Sequence, residues 1–297
     1  MQNTDSVWEL LVRPAGSITP EKHSRYLLVD PATGEIRGIQ ASNGSLMGWM
    51  AQLHYNLLLG STGLALNAIA GALAVFFAVS GLILWCRGKT KWKNGLRLKL
   101  RGVSTRVRHY SIHSAIGFYV SLFLFAMGVS GVYFVAPQPF LSAAVHLQGN
   151  SLSVMKDFLD PPSSTSDPSL PDAPVNAVVS AAKAQFPAES LTEIELPSST
   201  QGSWRFHFFD HSYFDTGRAA LVVIDRRSTK VLAAHRTTDL PLLVRAVTFL
   251  RPLHYGSFGG DVTKVVWGLL GLSPAILFLT GISIWRKRVA ASVSNLK

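Results

Sequence analysis

Three stretches of this chain run without a charged side chain: Leu64 to Trp85, Ser114 to Val135, and Val265 to Trp285. Each is about 20 residues long, enough for a helix rising 1.5 Å per residue to cross a hydrocarbon core of ~30 Å. Only helices and closed barrels satisfy their backbone hydrogen bonds inside lipid, and runs this long and apolar select the helix. A hydrophobic content of 48% and a positive mean hydropathy agree. The expected fold class is an α-helical membrane protein with three transmembrane helices.

The net charge of +11 resembles a nucleic-acid signal until it is located on the chain. Nine Lys or Arg residues fall between Arg87 and Arg108 with no acid among them, and Arg286, Lys287, Arg288 and Lys297 follow the last span. These thirteen cations exceed the whole net excess. Short basic segments beside spans mark the cytoplasmic side, so the excess reads as membrane topology and nucleic acid is excluded as a partner. The basic loop and the C-terminus are expected in the cytoplasm, with residues 1–62 and 136–262 outside. The single cysteine, Cys86, allows no disulfide within the chain. No signal peptide or apolar span precedes the outer N-terminal segment, so an upstream transmembrane helix is expected beyond this chain.

Two segments repeat each other at an offset of 200 residues, LHYNLLLG from Leu53 and LHYGSFGG from Leu253. After each histidine, glycine recurs at Gly60/Gly260, Gly71/Gly271 and Gly81/Gly281, and tryptophan at Trp85/Trp285. Such a repeat implies two helices of one design with His54 and His254 at matched depth on the outer side. Imidazole ligates iron through one ring nitrogen, and two facing imidazoles fill both axial positions of a haem. The bland alternative is a polar residue tolerated at the headgroup level. The glycines would let a flat macrocycle or a neighbouring helix approach closely.

His113 opens the second span on the cytoplasmic side, with His109 one turn earlier on the same face. Two histidines on one helix cannot clamp a haem from opposite sides, so His113 needs a partner on another helix; His109 is the weaker candidate ligand. His207 and His211, near Asp210 and Asp215, match no closed metal set and read as surface histidines.

Outside the spans, RYLLVDPATGEIRGI (25–39) and AALVVIDRRSTKVLAA (219–234) both read as strand, turn, strand, with Asp225 answering Asp30 and Val231 answering Ile36. Pro161 to Pro174 is a Pro/Ser-rich linker to which no structure is assigned, Val175 to Gln185 reads as a helix, and Ser203 to Phe209 alternates like a strand.

LHYNLLLG with its downstream SGLILW, RHYSIHSAIGFY with GVSGVYF, LHYGSFGG with TGISIW, and the two hairpins together resemble the PepSY-associated transmembrane family. The resemblance implies four transmembrane helices, three of them in this chain, and periplasmic α+β PepSY-like modules in a multi-pass protein of the bacterial inner membrane. It divides the chain into a partial module (1–48), a span with the outer histidine (49–87), a basic loop (88–110), a span (111–136), a periplasmic domain (137–250) with its linker (161–174), a second span with an outer histidine (251–288), and a cytoplasmic tail (289–297). It further implies haem b, with His54 and His254 completing one site and His113 giving one ligand to a second, incomplete in this chain. The activity implied is an oxidoreductase that passes electrons from a cytoplasmic or membrane donor to a periplasmic ferric chelate, as a ferric-siderophore reductase does. The competing reading is a non-catalytic, membrane-anchored PepSY module that binds a partner. A metal transporter fits less well, because the spans hold no acid to pass a cation.

Overall fold

The computed structural model describes residues 7–12, 25–30, 32–41, 44–86, 96–148, 157–158, 160–209 and 219–294. The start of the basic loop (87–95), His23, Asp210, His211 and Asp215 lie outside the described residues. The chain forms two compact units, residues 1–71 and 72–297.

In the first unit, β1 (Trp8–Val12), β2 (Arg25–Val29) and β3 (Ile36–Ala41) form an antiparallel sheet in that order. Helix α1 (Leu46–Asn56) follows, its first turn capped by Ser45 Oγ, which accepts from the Gly48 N–H at 3.0 Å. Leu57 and Leu58 then take left-handed backbone conformations, and Gly60 (φ 60°) opens α2 (Gly60–Cys86), which ends in the second unit.

The second unit holds α3 (Thr105–Val135), capped by Ser104, and α4 (Pro137–Gln148). Next comes a module of α5 (Val175–Gln185), β4 (Ser190–Glu195), β5 (Trp204–Phe209), β6 (Ala220–Ile224) and β7 (Val231–Arg236), the strands antiparallel in chain order. The chain returns through α6 (Leu242–Thr248) and α7 (Leu250–Tyr255) to α8 (Gly260–Leu270) and α9 (Ser273–Ser294). Among the described residues, three helical stretches are long and apolar enough to cross a membrane: Gly60–Cys86, Thr105–Val135 and Gly260–Ala290. Their exposed Leu, Ile, Val and Phe side chains are lipid-facing surface, which a soluble protein would have to cover.

Two details depart from the spans as read from sequence. Each repeated histidine sits in its own short helix (α1 or α7), separated by a left-handed break from the span that follows. The last span is also interrupted at Gly271–Leu272, where Pro274 can offer no backbone N–H to continue the ladder.

One face of the four-stranded sheet packs Phe206, Phe208, Val222 and Ile224, all fully buried, against Val178 and Ala182 of α5. The other face buries Leu221, Val223 and Ala233 under Phe158. Phe158 also touches the cluster of Leu141, Ala144, Leu240 and Val244 between α4 and α6, tying the sheet to the membrane helices. The linker 161–174 contains no helix or strand, yet it is fixed in place. The fully buried Asp225 carboxylate accepts from Ser164 Oγ (2.8 Å), Thr165 N (2.9 Å) and Ser166 N (3.3 Å) on one oxygen. The other oxygen accepts from Ser166 Oγ (2.6 Å), Arg227 N (3.0 Å), Ser228 N (3.0 Å) and Ser228 Oγ (2.9 Å). Farther along the linker, Asp172 takes a bidentate pair from Arg226 at 2.6 and 2.8 Å. The segment is a strap closed on a buried anion.

Candidate functional site

Helix α3 carries a histidine station near its basic-loop end and supports another near its sheet end. At the first, the His113 Nδ1 lies 3.1 Å from the Leu277 carbonyl oxygen and 3.0 Å from Thr280 Oγ1 on α9. A carbonyl only accepts, so Nδ1 carries the proton. Thr280 spends its own hydroxyl hydrogen on the Ile276 carbonyl at 2.7 Å, which leaves its oxygen to accept from the ring. With Nδ1 protonated, Nε2 is the nitrogen left to bind a metal, the arrangement that orients metal-binding imidazoles. One turn away, the His109 Nδ1 meets Ser283 Oγ at 2.5 Å, so both α3 histidines are held by α9 hydroxyls along one seam. A Cβ built on Gly281 would lie 3.5 Å from His113 Cε1, in ordinary contact. This landmark of the repeat faces the ring, whereas Gly271 sits in the break of the last span.

The second station is built the same way from different helices. The Nδ1 of half-buried His254, on α7, is 2.8 Å from Ser130 Oγ on α3. Fully buried Ser130 donates its single hydroxyl hydrogen to the Ala126 carbonyl at 2.6 Å, so the imidazole again donates through Nδ1 and a metal would be taken by Nε2. Phe134 stacks edge-on against the ring at 5.2 Å. Ser130 and His113 are 17 residues apart on the same helix, which sets the two stations about 25 Å apart along it. Three residues before His254, on the same side of α7, Arg251 buries its Nε without a hydrogen-bond partner among the described residues, and Arg245 on α6 does likewise. Neither the shared hydroxyl device nor these arginines was read from the sequence; a Ser or Thr in an apolar span is its only local sign.

His54 lies exposed in α1 of the first unit, near the helix end, where Asn67 Nδ2 donates to its backbone carbonyl at 2.7 Å. His54 and His254 belong to different units. His207, read as a surface histidine, is instead 8% exposed and hydrogen-bonded to Glu195 at 3.0 Å. It points away from the module core and lies beneath its neighbours on the opposite face of the sheet. Trp85 packs on Phe118 at 4.2 Å between ring centroids, while Trp285 remains 64% exposed, as an interface anchor would.

Apolar spanning helices, antiparallel sheet modules and histidines locked between helices define a multi-pass α-helical membrane protein with α+β modules attached. The PepSY-associated TM region family matches residues 3–288, and the chain belongs to that family. No protein of curated function matches the sequence.

Proposed function

We propose that this protein is a haem protein of the bacterial inner membrane that moves electrons outward to a periplasmic ferric chelate such as a ferric siderophore. The observation that carries the reading is the pair of Nδ1-anchored imidazoles, His113 and His254, at opposite ends of α3. Basic residues in the loop after α2 and in the tail after α9, with no acid among them, favour a cytoplasmic loop and C-terminus, with the modules in the periplasm.

The donor chemistry of the anchored imidazoles suits haem iron. His254 would give one ligand to a haem on the periplasmic side, for which the sequence repeat makes His54 the candidate second ligand, and His113 would give one ligand on the cytoplasmic side. Bound haem supplies reversible one-electron iron chemistry. The chain's own groups do the rest. Ser130 and Thr280 fix the tautomer and direction of each ring through hydroxyls that are themselves committed to helix carbonyls. Half-buried Arg251, whose Nε has no hydrogen-bond partner among the described residues, would offer its guanidinium to a haem carboxylate beside His254. The ferric chelate is substrate: gaining one electron converts its iron to Fe(II), which binds hard oxygen ligands more weakly and is released.

Optical spectroscopy of the purified protein tests the reading. Dithionite should produce a sharp α band and a shifted Soret band of bis-histidine haem. A protein with neither band as isolated and after haem supplementation would be a membrane-anchored PepSY binding module. Removal of Nδ1 acceptors by Ser130→Ala or Thr280→Val should shift the midpoint potential of one haem without abolishing its binding.

A further inference from the structure

We propose that Glu193, Glu195 and His207 form a binding site for a divalent transition-metal cation on the face of the four-stranded sheet opposite α5. One donor atom from each of the three side chains lies within 4.8 Å of the others. The His207 Nε2 is already 3.0 Å from one Glu195 oxygen.

The site depends on an irregularity in β4. Leu191 pairs with Phe208 and packs against the module core. In a regular strand Glu193, two residues on, would point into the same core. The register instead slips at Thr192, so that Glu193 pairs with His207. An extra residue of this kind re-aims the side chains that follow it. Ile194 now pairs with Phe206 on the core side, while Glu193 and Glu195 share the His207 face. Thr192 secures the slip by donating its hydroxyl to the His207 carbonyl at 3.1 Å. The bulge thus converts two potentially core-facing positions into a carboxylate pair beside a buried imidazole.

The donor set selects the metal class. Calcium and magnesium take oxygen ligands almost exclusively, whereas one imidazole with two carboxylates suits zinc, ferrous iron and their neighbours. Ligand bonds of about 2.0–2.2 Å are reached by rotation of the two glutamate side chains, since the donors already lie within 4.8 Å of one another. Water would complete the coordination of a bound ion. The site is independent of the haem reading, since zinc neither replaces haem iron nor needs reduction.

The test is calorimetric titration of the detergent-solubilised, chelator-washed protein with zinc chloride. One saturable site per chain is expected. His207→Asn and Glu193→Gln should each weaken it at least tenfold, while His235→Gln, on the same face but paired with Asp157, should leave it unchanged. Because Glu193 is exposed, its substitution keeps the test valid even if the buried His207 variant folds poorly. Absence of saturable binding would overturn the site, as would zinc affinity that survives Glu193→Gln or falls with His235→Gln. Displacement of zinc by millimolar magnesium would overturn the metal class.

Discussion

The two halves of the molecule solve the same structural problems with different chemistry. Hairpin β2–β3 and hairpin β6–β7 match at an offset of 195 residues, down to the position of a bulge before the turn: Leu28/Val29 in one, Val223/Ile224 in the other. In both, the turn aspartate accepts from the backbone N–H groups two and three residues on, Ala32 and Thr33 for Asp30, Arg227 and Ser228 for Asp225. The histidine helices match at 200. The chain end of α1 is held by Asn67, which donates to the His54 carbonyl, and that of α7 by Trp267, which donates to the Leu253 carbonyl, both at 2.7 Å. Asn67 and Trp267 are equivalent in the repeat yet share only a side-chain N–H. Likewise Gly63 makes room for the Asn56 carbonyl, while its counterpart Thr263 donates a hydroxyl to the Gly256 carbonyl. What persists between the halves is the satisfaction of a carbonyl at the break after the histidine helix, not the residue that does it.

The largest predicted effect concerns the histidines. If the halves act as a pair, His54→Ala and His254→Ala should each remove the same haem, with the same lost spectral component and the same remaining one. Loss of different components from the two variants would break the comparison.

The hairpin aspartates should then separate in magnitude. Asp30 is held below the usual carboxylate range chiefly by the Ala32 N–H, opposed by desolvation, with the Thr33 N–H and Arg37 adding to the lowering. For Asp225, burial by itself raises the pKa, but hydrogen bonds from Ser166, Arg227, Ser164 and Ser228 outweigh it and hold the group far below the usual range. A carboxylate depressed in the folded state contributes stability that is complete above its unfolded pKa of about 3.9 and fades as pH falls through the folded value. The second module should therefore lose stability as pH drops below about 4. Asp225→Asn should cost about 3 kcal/mol, remove most of this acid dependence, and expose the 161–174 strap to protease. Asp30→Asn should do visibly less. Equal effects in a urea titration would mean that the strap adds nothing to the shared hairpin.

Next in size is the break itself. A Cβ on Gly63 would lie 1.6 Å from the Asn56 carbonyl oxygen, so Gly63→Ala must displace backbone and should destabilise by about 2 kcal/mol or more. Thr263→Ala forfeits a hydroxyl bond and should cost about 1 kcal/mol. Thermal unfolding in detergent would rank them, and the opposite order would show that the two breaks are not equivalent.

The parts legible in the sequence were those whose cause is local. Uncharged length marked the spans, turn chemistry at Asp30 and Asp225 marked the hairpins, and literal identity marked the histidine repeat. The strap escaped notice because its serines answer an aspartate some 60 residues away in sequence, and a Pro/Ser-rich composition carries no trace of that partner. The Ser130–His254 and Thr280–His113 bonds escaped because they depend on which helices become neighbours. The Asn67–Trp267 equivalence escaped because the two share a hydrogen-bonding role and no residue type. His207 was misread because a slip of one residue in β4 decides what surrounds it.

The smallest effect tests strain at the two breaks. After α7 the left-handed positions are glycines, Gly256 and Gly260, where the missing Cβ removes the penalty. After α1 two of the three are Leu57 (φ 53°) and Leu58 (φ 61°), which hold this conformation at a cost of about 1 kcal/mol each. Asn56 offsets part of that cost by accepting the Leu58 N–H on its side-chain oxygen at 3.1 Å. Leu57→Gly should therefore raise the melting temperature slightly, by relief of strain net of the added freedom of the unfolded chain, while Gly256→Ala should lower it, because its Cβ would meet Trp267 at 2.7 Å. Opposite signs at the two breaks are the expected result. A fall in stability with Leu57→Gly would mean that the Leu57 side chain contributes more by packing than its backbone loses by strain.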